Sequence, residues 1–553
     1  MRNCYSLLGL LMTGWMLFSF GSCENFFISD SNRLMYDKSY GNMARTDSVY
    51  SLLGILTKMQ KVADRYVLLG ELRGDLVVPN DHTSGDLRDL ALFSATPDNC
   101  YNRIRDYYDI VNGCNCYLAY LDTTGQRYMK EYAAAKAIRA WTYLQIELNY
   151  GRASYFTQPV LTVEDNNRDY PVLTIDEICP LLIADLEPLV DFDRPDLGEI
   201  LTLSSEYFFV PVRVILADLY LWNGDYSKAA ETYYDYIFLN QAVLNPSYRI
   251  YHNDASYSSV RDGWSVSWSS VLPDETICFV PMATDPSDGR CSDLDSIFSG
   301  GLNGRYQVEA SDSYIQTNLQ QSYYLDAAGE YTNGDLRLRS SVAGVWNRNT
   351  MMDTMNIRKN SPLQSSASAN TVMLYRLPHI YLRFAEACNQ AGYSSLAFTV
   401  LKYGLTQDNI IKYVAPSERQ TGARFLNFDH DAFLSNGAVH ARGSGDTDCS
   451  QRYSLTVGDS VWVYDSDNDV YNYVAASPEY KAAVKDSLDN LILEEMALET
   501  AFEGNRFQDL IRFARRRNDN SFLATKVASR GSEFNENLYR LLLDEKNWYL
   551  SQQ

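Results

Sequence analysis

The side chains that ordinarily run chemistry stand far apart in this chain. Its five histidines, at 82, 252, 379, 430 and 440, include no HExxH pair of the kind that holds a catalytic zinc. No GxSxG segment presents a nucleophilic serine on a strand-to-helix turn. Arg442-Gly443-Ser444-Gly445-Asp446 is glycine-rich, but no Gly-Lys-Ser/Thr follows, so it is not a phosphate loop. With 70 Asp and Glu, a carboxylate pair for glycoside hydrolysis is not excluded by counting, yet no pair stands out from the acidic background. Asp465-Ser466-Asp467-Asn468-Asp469 alternates like a calcium loop, with Asp465, Asp467 and Asp469 as the oxygen ligands. Val470 stands where an EF-hand needs Gly and Ala476 where it needs Glu, so the readings are a solvated acidic turn or a looser calcium site. No other cofactor is expected.

Without a reaction constellation, recognition is the chemistry that remains. Sugars offer apolar C–H faces, on which Trp and Tyr stack, and hydroxyls, which Asn, Asp and Arg bond. Trp264-Ser265-Val266-Ser267-Trp268 alternates with period two, so a strand here carries Trp264, Val266 and Trp268 on one face and serines on the other. Those tryptophans either point into the core or form a stacking platform. Trp346, Tyr306, Tyr314, Tyr323 and Tyr324 share the same stretch. The chain favours tyrosine throughout, 42 against 22 Phe and 8 Trp. Tyr keeps a polar end that needs water or a partner, so the excess predicts many rings near the surface. The 70 acidic and 48 basic residues give a net charge of −22, which repels phosphate backbones and anionic lipid. A nucleic-acid partner is therefore not expected.

These side chains need a scaffold, and the scaffold reads as helical. A chain of 553 residues that is 46% hydrophobic can bury a sizeable core. Val49, Leu52, Leu53, Leu56 and Met59 recur at helical spacing, and residues 100–121 continue the pattern. Ala133, Ala137, Trp141, Leu144 and Leu148 form a stripe ended by Gly151, which suits a left-handed C-cap. Residues 212–239 read as helix–turn–helix. Gly224-Asp225 makes the turn with Asp225 placed to cap the second helix, Ala229 and Ala230 let the helices close, and Tyr220 and Tyr233 pack. A second unit begins at Pro378, with Leu377, Tyr381, Phe384 and a buried Cys388 on its stripe, Gly392 at its end and Ser394 opening the next helix. This grammar resembles a tetratricopeptide repeat. Residues 250–350 and 415–475 are rich in Ser, Asp, Gly, Asn and Tyr and read as long loops with short strands, where binding sites concentrate. The remaining C-terminal residues return to helix. The expected fold is mostly α, a tetratricopeptide-like repeat scaffold with long loop-rich insertions. Cys114-Asn115-Cys116 has no second pair nearby, so a zinc site is not supported.

The N-terminus is an address. Arg2 is the only charge before Glu24, and the apolar run between them is too short to cross a bilayer. Gly21-Ser22-Cys23 then resembles the lipobox of bacterial lipoproteins, in which Cys23 would be lipidated. Residues 1–22 are thus a lipoprotein signal peptide and 23–38 a lipidated tether. No later segment is apolar for long enough to span a membrane.

Six stretches recur in order along the rest. They are Glu71-Leu72-Arg73-Gly74-Asp75, then Arg139-Ala140-Trp141 with Asn149-Tyr150-Gly151, and Leu216-Ala217-Asp218-Leu219-Tyr220 with Gly224-Asp225-Tyr226. They continue with Gly334-Asp335-Leu336-Arg337, Tyr375-Arg376-Leu377 through Ala385-Glu386-Ala387, and Phe502-Glu503-Gly504-Asn505-Arg506 running on to Arg512. Together they resemble the SusD/RagB nutrient-uptake lipoproteins of Bacteroidetes. Glu494-Glu495-Met496 departs from the Glu-Arg that many members carry. The motif residues read as structural: Arg506 pairs with a nearby carboxylate, and Arg376 and Glu386 belong to the scaffold. The resemblance implies a single body over 39–553, with a helical part at 39–240, a ligand-face insertion at 241–372 and a C-terminal part at 373–553. It implies a surface-exposed protein anchored to the outer membrane by lipid, which binds oligosaccharide without reacting it and passes it to a SusC-like TonB-dependent transporter. Alternatives are an oligopeptide ligand, as in the RagB-like branch, a cell-surface hydrolase, or a protein–protein adaptor. The resemblance also adds the loop from Arg73 to Asn99, with Asn80 and His82, to the candidate ligand contacts.

Overall fold

Ser51 caps the first helix, α1 (Leu52–Leu72), its side chain accepting the Gly54 amide at 3.1 Å. The computed structural model describes residues 51–552 apart from 201–202, 253–259, 270–273, 288, 300–303, 326–329, 348–351, 361–369, 445–452, 466–467 and 469. Cys23, the signal segment and Val49 lie outside the described residues.

Helix α1 packs on α2 (Ile104–Tyr120), and α2 packs on α3 (Met129–Tyr150). The Ala133–Leu148 stripe lies inside, and Gly151 ends α3 with φ +73°, a conformation in which only glycine is free of Cβ strain. A capping box opens α4 (Ile175–Leu186), where the Thr174 amide donates to Glu177 Oε2 at 2.8 Å. The repeat-like hairpin is α5 (Val212–Asn223) and α6 (Tyr226–Leu239). Gly224 turns it at φ +81°, and the fully buried Ala229 and Ala230 allow the close approach. Asp225 occupies the N-cap position, but its carboxylate accepts from Asn223 Nδ2 at 2.7 Å instead of capping α6. Its backbone carbonyl starts the helix by accepting the Ala229 amide at 2.9 Å. The second hairpin, α7 (Leu377–Gln390) with α8 (Ser394–Lys402), buries Cys388 and packs α7 against α6. Helix α9 (Pro478–Glu499) then packs on α7, and α10 (Arg506–Arg517) returns to α1. One apolar core runs from Leu52 to Leu550. The fold is mostly α and repeat-based, as its periodicity predicts.

The strands that bear on the candidate residues are β1 (Val77–Pro79), β2 (Thr276–Met282), β3 (Val308–Ala310), β4 (Val342–Asn347), β5 (Met352–Ile357), β6 (Asn370–Arg376), β7 (Ser460–Asp465) and β8 (Val470–Ala475). They pair β1–β3, β2–β6, β4–β5 and β7–β8, all antiparallel, and every sheet among the described residues has two strands.

Many of the tyrosines are internal, which corrects the surface expectation. Tyr233 and Tyr375 both donate to Asp218, at 2.5 and 2.7 Å, and Tyr453 donates to Glu495 at 2.6 Å. Tyr143 and Tyr381 bond the carbonyls of Phe156 and Ala242. A buried phenol costs little when an acceptor meets its hydroxyl, and this interior supplies carboxylates and carbonyls for that purpose.

Candidate ligand-binding face

The β1–β3 pairing sets Val77 opposite Ala310 and Pro79 opposite Val308. The loop leaving β1 therefore meets the segment entering β3. Asn80 Nδ2 donates to the Tyr306 carbonyl at 2.9 Å, and Asn80 Oδ1 accepts the His82 amide at 2.9 Å. The Tyr306 phenol donates to Glu309 Oε2 at 2.9 Å and accepts the Met355 amide of β5 at 3.1 Å. These bonds hold Tyr306 at φ +45°, which a residue with a Cβ rarely adopts. The structure thus joins Asn80, His82 and Tyr306, but in unequal roles. Tyr306 is buried and Asn80 has both polar ends engaged, so these two build the loop, while the His82 side chain is exposed.

The strand expected over 264–268 does not form. Val266–Ser269 is a single helical turn, begun by the Ser267 amide donating to the Trp264 carbonyl at 2.9 Å. It brings Trp264 and Trp268 edge-to-face with centroids 5.7 Å apart. Trp264 is fully buried; its Nε1 donates to Glu499 at 2.8 Å, and Lys359 Nζ lies 4.8 Å over its ring. It has no face to offer a ligand, so the core reading is the right one for this residue. Trp268 and Tyr323 pack half-buried against it. Tyr314 is also removed from the candidates: it is fully buried against Phe502 and shares a 2.7 Å hydrogen bond with Ser341. Trp346 sits in β4, in register with Asp353 of β5.

A different aromatic group does face solvent. In the β7–β8 ribbon Trp462 pairs with Tyr473 and Tyr464 with Tyr471. Paired residues of an antiparallel ribbon share a face, and so do residues two apart, so the four rings form one ladder. Ring centroids are 5.0 Å apart in the first pair and 5.1 Å in the second. The rings are 61, 49, 67 and 63% exposed for Trp462, Tyr464, Tyr471 and Tyr473. Val461, Val463 and Val474 take the opposite face. The ribbon is rooted by Asp459, whose side chain accepts the Ser417 amide at 2.9 Å and whose carbonyl accepts the Ala476 amide at 2.8 Å. Sequence reasoning passed over these residues. The signal was present as aromatic alternation on both sides of a short polar run, which is a hairpin signature. The acidic run read above as a turn or calcium loop is that connection. Asp465 ends β7, and Asp467 and Asp469 lie outside the described residues. Among the described residues no three His, Cys, Asp or Glu side chains stand together to hold a metal.

No family model matches the chain. No curated protein matches it either. Solved structures do. A SusD superfamily protein from Bacteroides thetaiotaomicron VPI-5482 superposes with a TM-score of 0.55 at 13% identity, covering 88% of this chain and 91% of the other. One from Bacteroides vulgatus ATCC 8482 gives 0.53 at 16%, over 83% and 86%. The chain has the SusD-superfamily fold. Surface glycan-binding protein A from Bacteroides thetaiotaomicron, solved in complex with laminarihexaose, shares this SusD-like fold with a TM-score of 0.51 at 16% identity, over 87% and 94%.

Within this SusD scaffold the motif residues are internal ties. Arg506 Nη2 donates to Asp75 at 2.9 Å, the Gly504 amide donates to Glu71 Oε1 at 2.7 Å, and Tyr66 donates to Asn505 at 2.9 Å. These bonds lock the 71–75 and 502–506 stretches together. Gly70 must be glycine, since a Cβ there would lie 1.8 Å from the Gly504 oxygen. Asp335 pairs with Arg337 at 2.8 Å, Asp218 with Arg383 at 2.7 Å, and Glu386 with Arg512 at 2.7 Å. Glu495, from the departing Glu-Glu pair, accepts from Arg337 at 2.7 Å and from Tyr453.

Glu71 makes one of these ties pH-dependent. Burial pushes its carboxyl up to about 7, against the opposing pull of the Gly504 and Phe502 amides and of Arg506. Between the unfolded value of 4.5 and about 7, the unfolded chain sheds this proton while the folded chain keeps it, so the Glu71 contribution to stability falls as pH rises across that window. Glu71→Gln imitates the protonated acid. The variant is expected to gain about 1–3 kcal/mol over the parent at pH 8 and little at pH 4.5, read from urea midpoints at the two pH values. An equal gain at both would refute the assignment.

Proposed function

We infer that this chain binds oligosaccharide at the cell surface and passes it, unreacted, to a TonB-dependent transporter barrel over which it sits as a lid. Lipid on Cys23 would tether it to the outer membrane, because several acyl chains on one residue anchor stably. The observation that carries the reading is the exposed ladder of Trp462, Tyr464, Tyr471 and Tyr473. Flat rings standing in water on a rigid scaffold suit the apolar faces of successive sugar units. Residues two apart along a strand lie roughly 6.6 Å apart, a spacing that lets one oligosaccharide cover more than one ring. The laminarihexaose complex of a SusD-fold neighbour supports the same ligand class. The net charge of −22 favours a neutral glycan over an anionic one. His82, Trp268, Tyr323 and Trp346 are proposed as further contacts.

The test is gel electrophoresis of the mature protein through immobilised neutral polysaccharides, followed by calorimetry with oligosaccharides of the retarding polymer. Retardation by at least one neutral glycan is expected, with no new reducing ends after long incubation. Failure to bind any neutral glycan, or release of reducing ends, would overturn the reading.

A further inference from the structure

Among the described residues, β8 pairs with β7 on one side and has no partner strand on the other. All six of its residues are exposed. The pairing fixes which main-chain groups face that open edge. The Ala476 amide donates to the Asp459 carbonyl at 2.8 Å, so residues 459 and 476 form a hydrogen-bonded pair. Such pairs alternate along an antiparallel ribbon. The N–H and C=O groups of the pairs between them, which include Ser460 with Ala475 and Trp462 with Tyr473, turn away from the neighbouring strand. On β8 the outward groups belong to Tyr471, Tyr473 and Ala475. They recur every second residue, about 6.8 Å apart, which is the repeat of another strand.

Sheet edges are ordinarily blunted by Lys, Pro or a bulge. Val470-Tyr471-Asn472-Tyr473-Val474-Ala475 contains no charge, proline or glycine, and its register with β7 runs unbroken. A six-residue segment of that composition is a template for strand addition. The outer edge of β7 is a poorer template, because Ser460 and Val461 at its start are partly covered.

Size and charge select the occupant. Six residues make an edge about 20 Å long. One strand laid along it covers far less than the ~1,200 Å² that two folded bodies need to stay together. Two copies of this chain, each with a net charge of −22, also repel. Both facts argue against a second copy and for a single extended segment that carries no net negative charge. The edge is open to solvent, so a free peptide gains little beyond main-chain bonds. A segment tethered in a partner protein is held at higher effective concentration.

We propose that the open edge of β8 takes a third strand from a partner protein, an extended neutral or basic segment rich in β-branched residues. Its side chains on one face meet Tyr471 and Tyr473, and those on the other meet Val470 and Val474. The strand bonds the edge of the ribbon and leaves the ring faces to a glycan, so the proposal does not rest on the glycan reading.

The test is fluorescence anisotropy of a labelled peptide, Lys-Thr-Val-Thr-Val-Thr-Val-Lys, with the mature chain. One form carries N-methyl groups on alternate residues and keeps one edge able to pair; a second carries them on every residue and keeps none. The first is expected to bind at least about tenfold more tightly than the second. Ala475→Pro removes an outward N–H from β8, and Ser460→Pro removes one from β7 directly opposite. Ala475→Pro is expected to weaken the first peptide about tenfold, and Ser460→Pro to change it by less than about twofold. Equal binding of the two peptides, no binding of either, or equal effects of the two prolines would overturn the proposal. A peptide ended by Glu in place of Lys is expected to bind more weakly, and equal or tighter binding would overturn the charge assignment. The peptide comparison is read on the unaltered protein, so it does not depend on a variant folding.

Discussion

Arg376→Met is expected to destabilise the protein by about 3–5 kcal/mol, the usual cost of removing one partner from a buried ionic group. Arg376 is fully buried between α7 and α9. It donates to Glu503 at 2.8 and 2.9 Å, to the Glu499 carboxylate at 3.3 Å and to the Glu499 carbonyl at 3.0 Å. Methionine fills similar space but leaves Glu503 with Lys359, at 2.7 Å, as its remaining cation partner among the described residues. The thermal midpoint should fall by roughly 3–5 °C, because the unfolding entropy of a chain this long is about 1.1 kcal/mol per kelvin. Arg376→Lys should recover little, because one ammonium cannot make the two-pronged bond. The deficit should also depend on pH. Burial pushes the Glu503 carboxyl up, but Arg376 and Lys359 more than offset this and hold it well below the usual carboxylate range. A carboxyl depressed in the folded state contributes stability above its unfolded value of 4.5 and loses it as pH falls through the folded value. The gap between parent and variant is therefore expected to be widest above pH 5 and to narrow towards pH 3. A variant as stable as the parent at pH 7 would show that the cluster is not what holds α7 against α9.

The second large effect concerns binding. Trp462→Ala and Tyr473→Ala are each expected to weaken glycan binding about tenfold, and the double variant about a hundredfold. A sugar covering one ring face removes on the order of 50–100 Å² of apolar surface, worth about 1.3–2.5 kcal/mol at 25 cal/mol per Å². Part of that is spent on ordering the ligand, which leaves about 1.4 kcal/mol, or tenfold, for each ring. The thermal midpoint should change little, because both substituted rings stand on the ribbon and are more than half exposed. Trp462→Phe should keep most of the affinity, since a flat face remains. Full affinity in the double variant would move the glycan to another face, with His82 and Trp268 the next positions to substitute.

The helical scaffold was legible in the sequence because its signals are local. The Ala133–Leu148 stripe, Gly151 and Gly224 at positive φ, and the small Ala229–Ala230 pair depend on neighbours within a turn or two, and each appears where the spacing places it. The motif order pointed to the SusD fold for the same reason. Partner choice was less legible. That Arg506 needed a carboxylate followed from its chemistry, but that the carboxylate is Asp75, 431 residues away, is settled only when α10 returns to α1. The aromatic candidates show the same division. Period-two spacing in Trp264–Trp268 and in Trp462–Tyr464 looks alike on the page. The first lies beside Glu499, which takes the Trp264 N–H at a separation of 235 residues and holds that ring in the interior, with a helical turn following it. The second lies in a two-stranded ribbon and stays largely exposed. Residue types and spacing determined which elements form and which rings could bind. Which rings remain available was decided by tertiary packing, because burial depends on what the rest of the chain brings against them.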